Sequence, residues 1–212
     1  MPYIFSYEAT KRAFDIFFGA IGLLVSSPLV ITAIIAIKLT SRGPIFYRGV
    51  RTGLYGCPFR ILKLRTMLTN AEELGGPSTA LNDPRLTRIG GFLRKYKLDE
   101  LPQFLNILLG DMSFVGPRPQ VEQYTKLYEG DEKLILTVRP GLTDYSTLKF
   151  INMDRVLGND SVDEKYLLEV EPKKNLLRLK YVKERSHYVD IVILIKTVMQ
   201  LLGVRKIWST ED

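Results

Sequence analysis

The chain has one cysteine, one histidine and no charged residue from Ile16 to Ile37. With Cys57 alone, an intrachain disulfide is excluded, and a reducing compartment fits. With His187 alone, a His-based metal site or a histidine triad is disfavoured, and His187 reads as a surface or packing residue. Internal repeats and low-complexity tracts are also lacking. What is present is 212 residues, enough for one domain with a sizeable core. The formal net charge is +7 and the pI about 9.4. That sign calls for an anionic partner: nucleic acid, anionic lipid or a phosphorylated substrate.

The uncharged stretch reaches the roughly 20 apolar residues that cross a bilayer. It is too long for a signal peptide, and Pro28 sits where small residues should permit cleavage. Proline lacks a donor and clashes with the preceding turn, so the sequence predicts a kink or break at Ser27-Pro28. The hydroxyls of Ser26 and Ser27 are candidates to satisfy the freed carbonyls. Both flanks are basic: Lys11 and Arg12 before, Lys38, Arg42, Arg48 and Arg51 after. The positive-inside rule places both in the cytoplasm. One straight span cannot do that, whereas a helix that bends at Ser27-Pro28 and returns can. The expected organisation is a re-entrant membrane helix, 1–40, followed by a cytoplasmic unit, 41–212.

Residues 41–67 alternate short β-like runs with glycine and proline. Over Phe59 to Arg65, alternation puts Lys63 and Arg65 on one face, where they could receive a diphosphate or simply form a solvated edge. Residues 68–87 read as a long loop, a candidate lid, with breakers at Gly75-Gly76-Pro77 and Asn82-Asp83-Pro84. Thr87 is placed to cap a short basic helix, Arg88 to Tyr96.

The central stretch is Arg94 to Pro119, RKYKLDELPQFLNILLGDMSFVGPRP. Asp99-Glu100 opens an amphipathic helix with Leu101, Phe104, Leu105, Leu108 and Leu109 on its apolar face. One reading makes Asp99 only an N-cap and Glu100 a helix-dipole partner. The other makes the pair a cation-binding or phosphorus-attacking site near a helix start. Arg88, Arg94, Lys95, Lys97 and Arg118 crowd the acids, which suits phosphate chemistry assisted by a divalent ion. Further on, 120–137 reads as a helix, 138–143 as a turn and short strand, 144–172 as irregular, and 173–185 as a basic helix. Tyr188 to Leu202 is apolar but short for a span, so it reads as a core or interfacial helix. Asp190 within it is costly to bury without a partner.

These motifs together resemble the small monotopic phosphoglycosyl transferases of bacteria, the bacterial sugar transferase family. The resemblance rests on the basic-flanked apolar segment with Ser27-Pro28, PIFYRGVRTG, FRILKLRTM, DPRLTRIGGFLRKYKLDELPQFLNILLGDMSFVGPRP and VRPGLT. It spans roughly residues 8 to 205. The resemblance implies an α/β fold, mostly helical with short strands. It implies transfer of a sugar phosphate from a nucleotide diphosphate sugar, usually a UDP-sugar, to polyprenyl (undecaprenyl) phosphate, with release of UMP. Such a step begins cell-surface glycan synthesis on the cytoplasmic face of the bacterial inner membrane. Asp99 would be the nucleophile and form a covalent phosphosugar. Glu100, beside Asp99, would hold Mg²⁺. Lys63, Arg94, Arg118 and Asp190 match positions around the family site and are assigned to substrate. Membrane lipids are implied as partners, nucleic acid is not, and a homodimer is compatible.

Two departures stand out. Many members read GITGWAQVNGRN after the Pro-Gly step, with an Arg assigned to substrate. Here the run is GLTDYSTLKFINMDR, with Ile151 near that Arg and only Lys149 or Arg155 to replace it. Arg178 stands where members carry an Asp. The sugar is therefore left open. A competing reading, a membrane-anchored basic protein that binds anionic lipid or a partner, predicts an indifferent Asp99. Nucleic-acid binding fits the charge but lacks a recognised module.

Overall fold

A computed structural model describes residues 2–76, 78–79, 83–150 and 162–203. Ile151 and Arg155, singled out above, lie outside the described residues, as do Pro77 and Asn82. The architecture is mostly helical with short strands, as expected.

Helix α1 spans Pro2–Thr40. At ~1.5 Å per residue it is on the order of 60 Å long, about twice the hydrocarbon core of a bilayer. Only one stripe faces protein: Asp15, Gly19, Ser26, Ala33 and Ile37 are buried at helical spacing. The remaining surface is apolar and exposed, through Phe17, Leu24, Val25, Leu29 and Leu39. The expected break is not there, because the helix continues through Pro28. Pro28 cannot bond the Leu24 carbonyl, and the Ser27 hydroxyl donates to that carbonyl instead, at 2.7 Å. Thr32 Oγ1 likewise donates to the Pro28 carbonyl at 2.8 Å.

After α1 come strands β1 (Phe46–Tyr47), β2 (Val50–Thr52), β3 (Pro58–Arg60) and β4 (Lys63–Leu64). They pair antiparallel as β1 with β4 and β2 with β3. Helices α2 (Ala71–Leu74), α3 (Arg88–Lys95) and α4 (Gln103–Leu109) follow. The Thr87 side chain caps α3 by accepting from the Gly90 amide at 3.0 Å, as predicted. Strand β5 (Ser113–Val115) pairs parallel with β6 (Gly141–Thr143). The chain then forms α5 (Glu122–Thr125), before β6, and afterwards α6 (Tyr145–Lys149), α7 (Val162–Lys165), α8 (Glu171–Glu184) and α9 (His187–Leu201). A π-helical turn, Tyr166–Val170, joins α7 to α8.

The long helix expected at 120–137 is wrong. The chain instead forms the single turn α5 and a 3₁₀ run, Gly130–Thr137. Gly130 starts that run at φ +50°, in the left-handed region that interrupts a helix and suits glycine.

Helix α1 is seated on the body near both ends. Ala33 and Ile37 share a core cluster with Leu64 of β4 and Leu93 of α3. Toward the other end, Arg12 donates to the carbonyls of Ile107 and Leu108 at 2.5 and 2.7 Å. A guanidinium there satisfies the last carbonyls of α4 and complements its dipole. Asp15 accepts from the Ser113 hydroxyl and the Phe114 amide of β5. His187 bonds Thr10 and lies edge-on to Tyr7, a packing role as expected. Helix α9 exposes Tyr188, Ile191, Ile195 and Val198 along one side, so it is a surface helix with an apolar outer stripe.

Candidate active site

Three segments converge on the acidic pair. The first carries Lys63 on β4. The second is the 3₁₀ turn Leu98–Glu100, which runs through Leu101 and Pro102 in helical conformation into α4. The third is Gly116-Pro117-Arg118, just after β5. A Cβ on Gly141 would lie 2.1 Å from the Gly116 nitrogen. Glycine at both positions lets β5 and β6 approach closely, and that approach places the Arg118 turn. The Gly141 amide donates to the Pro117 carbonyl at 3.0 Å. Asn106 of α4 pins the first segment, accepting from the Leu62 amide at 2.8 Å and donating to the Arg60 carbonyl at 2.9 Å.

Glu100 is the hub. Its Oε1 accepts from Lys63 Nζ at 2.9 Å and from Arg118 Nη2, and its Oε2 accepts from Arg118 Nη1 at 3.2 Å. Burial opposes its charge, but Arg118 and Lys63 outweigh burial and hold the carboxyl well below the usual range. Arg118 is raised in turn, chiefly by Glu100. Lys63 is lowered because burial outweighs its acidic neighbours.

Asp99 differs from its neighbour. It is 4% exposed, and its Oδ1 is buried without a hydrogen-bond partner. Burial raises its pKa against the pull of Lys63, and Glu100 adds to the rise. The N-cap reading fails: α4 has Pro102 at its cap, and no side chain caps it. Lys97, immediately before the turn, sits at φ +57°, a conformation unusual for a residue with a Cβ. It contributes positive potential to both acids.

Arg94 stands close enough to interact with Asp99 electrostatically. Its own hydrogen bonds go to Thr66 Oγ1 and Thr79 Oγ1, both at 2.8 Å. Arg94 therefore ties the 68–87 loop to the site. Arg85 also holds that loop, donating to the Gly76 and Ser78 carbonyls at 2.7 Å each.

Lys63, Arg94, Asp99, Glu100 and Arg118 are thus brought together, whereas Asp190 joins a different group. It accepts from Lys11, Tyr7 and Tyr181, binding α9 to α1 and α8. Arg65 also parts from Lys63. It donates to the Ser41 and Arg42 carbonyls just beyond the end of α1, so the two cations do not form one diphosphate cradle. Arg178 is fully buried on Glu171, Asn175 and Tyr128. Lys149 is exposed at the end of α6. Sequence reasoning missed Asn106, Gln103 and Asp144. Asp144 is fully buried, accepts from Ser146 and Thr147, and adds negative potential at Arg118. The polar residues on the otherwise apolar buried face of α4 were the available signal.

Among the described residues no group of three or more His, Cys, Asp or Glu side chains could hold a metal. Mg²⁺, however, commonly takes one or two carboxylates and completes its shell with water and substrate phosphates. The Asp99 carboxylate and the less occupied Glu100 Oε2 fit that limited role.

Buried acids among fixed cations thus lie in a body that carries a long helix with an exposed apolar surface. The comparisons give that arrangement a family. The bacterial sugar transferase family matches residues 6–204. The chain is 38% identical over 194 residues to the UDP-glucose:undecaprenyl-phosphate glucose-1-phosphate transferase of Escherichia coli, covering 90% of this chain and 39% of that protein. It is 35% identical over 203 residues to the exopolysaccharide production protein ExoY of Rhizobium meliloti, covering 89% and 83%. It is 32% identical over 199 residues to the UDP-N-acetylgalactosamine-undecaprenyl-phosphate N-acetylgalactosaminephosphotransferase of Aeromonas hydrophila, covering 92% and 44%. The chain belongs to the bacterial sugar transferase family. It spans about two fifths of the length of the Escherichia coli relative.

Proposed function

We propose that this chain transfers a sugar 1-phosphate from a UDP-sugar to undecaprenyl phosphate, through a covalent intermediate on Asp99. The observation that carries this reading is the contrast inside the acidic pair. Glu100 is held by Lys63 and Arg118, while Asp99 Oδ1 is buried and uncommitted.

In the first half-reaction, Asp99 Oδ1 attacks the phosphorus that bears the sugar. A bond forms from that oxygen to phosphorus, the bond to the bridging oxygen breaks, and UMP leaves with the electron pair. In the second, a phosphate oxygen of undecaprenyl phosphate attacks the same phosphorus. The bond to Asp99 breaks, which restores the carboxylate and yields the undecaprenyl diphosphate sugar. A carboxylate needs no general base when ionised, so a chain with one histidine can run this chemistry. A buried carboxylate is also poorly solvated, which sharpens it as a nucleophile.

An anion attacking a diphosphate faces repulsion. Lys63 and Arg118 offset it as preorganised cations, held by Glu100 before substrate arrives. Arg94 adds positive potential at Asp99. When bound, Mg²⁺ would be held by Glu100 and Asp99 and neutralise diphosphate charge.

The same reading places the enzyme at the bacterial inner membrane with its catalytic part on the cytoplasmic face. Helix α1 would lie in that leaflet with its exposed apolar face toward lipid, re-entrant by bending at Pro28 while its helix continues. Support comes from its basic flanks and from its seating on the body near both ends. The test is UMP release from UDP-glucose and UDP-N-acetylgalactosamine with undecaprenyl phosphate and Mg²⁺, wild type beside Asp99→Asn. Release by wild type alone is expected, and equal release by the variant would remove Asp99 from the reaction.

A further inference from the structure

Gln103 is the most anomalous polar side chain near the site. It is 1% exposed, yet neither its Oε1 nor its Nε2 has a hydrogen-bond partner. Buried amides almost always find partners, so a doubly orphaned one needs a reason. Its place supplies one. Gln103 lies four residues after Asp99, about one turn on through the helical Leu101 and Pro102, and both residues lie on the buried face of this segment. That face is buried at Asp99, Gln103, Asn106 and Ile107. At its far end Asn106 is locked onto Arg60 and Leu62. At its near end Asp99 Oδ1 is as unpartnered as the Gln103 amide. Two open polar groups one helical turn apart, beside a saturated one, describe a place prepared for a polar guest.

We propose that the Gln103 amide binds the phosphosugar carried on Asp99, donating from Nε2 to a phosphoryl oxygen. This rests on the assignment of Asp99 as nucleophile and extends it to the group that receives the intermediate. The donor is neutral, so it adds no charge to a site where Lys63, Arg94 and Arg118 already supply cations. It meets the phosphoryl group only once phosphorus has approached Asp99, so it favours the transition state and intermediate over free substrate.

The experiment uses the full chain in lipid nanodiscs. It compares wild type, Gln103→Met and Gln103→Glu with UDP-glucose and UDP-N-acetylgalactosamine as donors and undecaprenyl phosphate as acceptor. UMP release gives kcat and KM, intact mass without acceptor gives the sugar-phosphate adduct, and thermal melting gives stability. Methionine keeps the length and removes both orphaned groups, so Gln103→Met is expected to melt at or above wild type. Its kcat should fall on the order of 10²- to 10³-fold, with KM for the UDP-sugar nearly unchanged. Gln103→Glu should lose at least as much, because an acceptor then faces phosphoryl oxygens. Either variant turning over within about threefold of wild type would overturn the proposal. So would a loss of activity in both variants that tracks a fall in melting temperature, since Gln103 would then be a structural buttress. A wild type that turns over yet gains no adduct mass without acceptor would instead sink the reading of Asp99, and the role of Gln103 with it.

Discussion

Asp99 and Asp190 are both buried acids, 4% and 7% exposed, and both are surrounded by cations or hydroxyls. Their surroundings are opposites. Asp190 is closed: Lys11 and Tyr7 of α1 meet one oxygen and Tyr181 of α8 meets the other, so this acid of α9 is tied to two other helices. Asp99 is open: its cationic neighbours stay at a distance, and one oxygen has no partner. A closed buried acid fastens elements together, whereas an open one is costly to stability and is kept for chemistry. The contrast separates a fastened acid from an uncommitted one where residue type could not, and the proposed role of Asp99 rests on it.

The largest expected effect comes from Asp99→Asn. Turnover should fall on the order of 10⁴-fold or more, because the attacking oxygen is gone. The protein should melt no lower than wild type, since a buried and poorly paired charge is removed. A variant that unfolds would show Asp99 to be an anchor too and would collapse the contrast. Next is metal removal: EDTA should stop UMP release and Mg²⁺ restore it, with the melting temperature nearly unchanged. Insensitivity to EDTA would leave Lys63 and Arg118 as the sole charge compensation.

Glu100→Gln comes third and lies between the two cases. It leaves Lys63 and Arg118 buried without their counter-charge, so kcat should drop on the order of 10²- to 10³-fold and the melting temperature should also fall. The Glu100 carboxyl is held well below its ordinary value. The stability it contributes is therefore complete above the ordinary glutamate range and lost only as pH falls through that depressed pKa. Asp190→Asn comes fourth and tests the closed acid. Removing one partner of a buried pair costs about 3–5 kcal/mol. Denaturant titration should find that loss while kcat per folded molecule stays near wild type. A lowered kcat at unchanged stability would return Asp190 to the substrate.

Much of the candidate site's clustering was legible as sequence: Arg94, Asp99, Glu100 and Arg118 lie within one stretch, and Lys63 stands in an expected basic run. The capped helix α3 was legible too, because Thr87 and its capping bond are local. What failed was non-local. Nothing in the alternation of Phe59 to Arg65 says that Arg65 will turn back to the end of α1 while Lys63 goes forward to Glu100. Asp190 could be seen to need a partner, but its partners are Lys11 and Tyr7, from the far end of the chain. The serines before Pro28 announced a repair of the helix but not its continuity. That depended on Ser27 reaching the one carbonyl that Pro28 leaves free. Arg178 was read as a departure at the nucleotide contacts. Its burial on Glu171 and Tyr128 makes it part of the packing of α8.

The smallest expected effect is also the most selective. Burial raises the Asp99 pKa, and Lys63, Arg94 and Lys97 pull it down. The acidic limb of kcat/KM should therefore lie above the ordinary aspartate range, with activity lost as pH falls through it and the nucleophile becomes protonated. Lys97→Met keeps a side chain of similar length at the left-handed position but deletes the weakest of these three pulls. The limb should then move to higher pH, while the plateau above it changes little, because the Lys97 side chain makes no hydrogen bond or ion pair with either carboxylate and acts through space alone. The direction follows from sign: less positive potential makes the carboxylate harder to form. Lys97 also lowers Glu100, but that acid keeps Arg118 and Lys63 and stays ionised throughout the range. A shift in the limb at a constant plateau would identify Asp99 as the titrating group. A limb that stays put while the plateau drops would mean that Lys97 serves the turn's geometry rather than its charge.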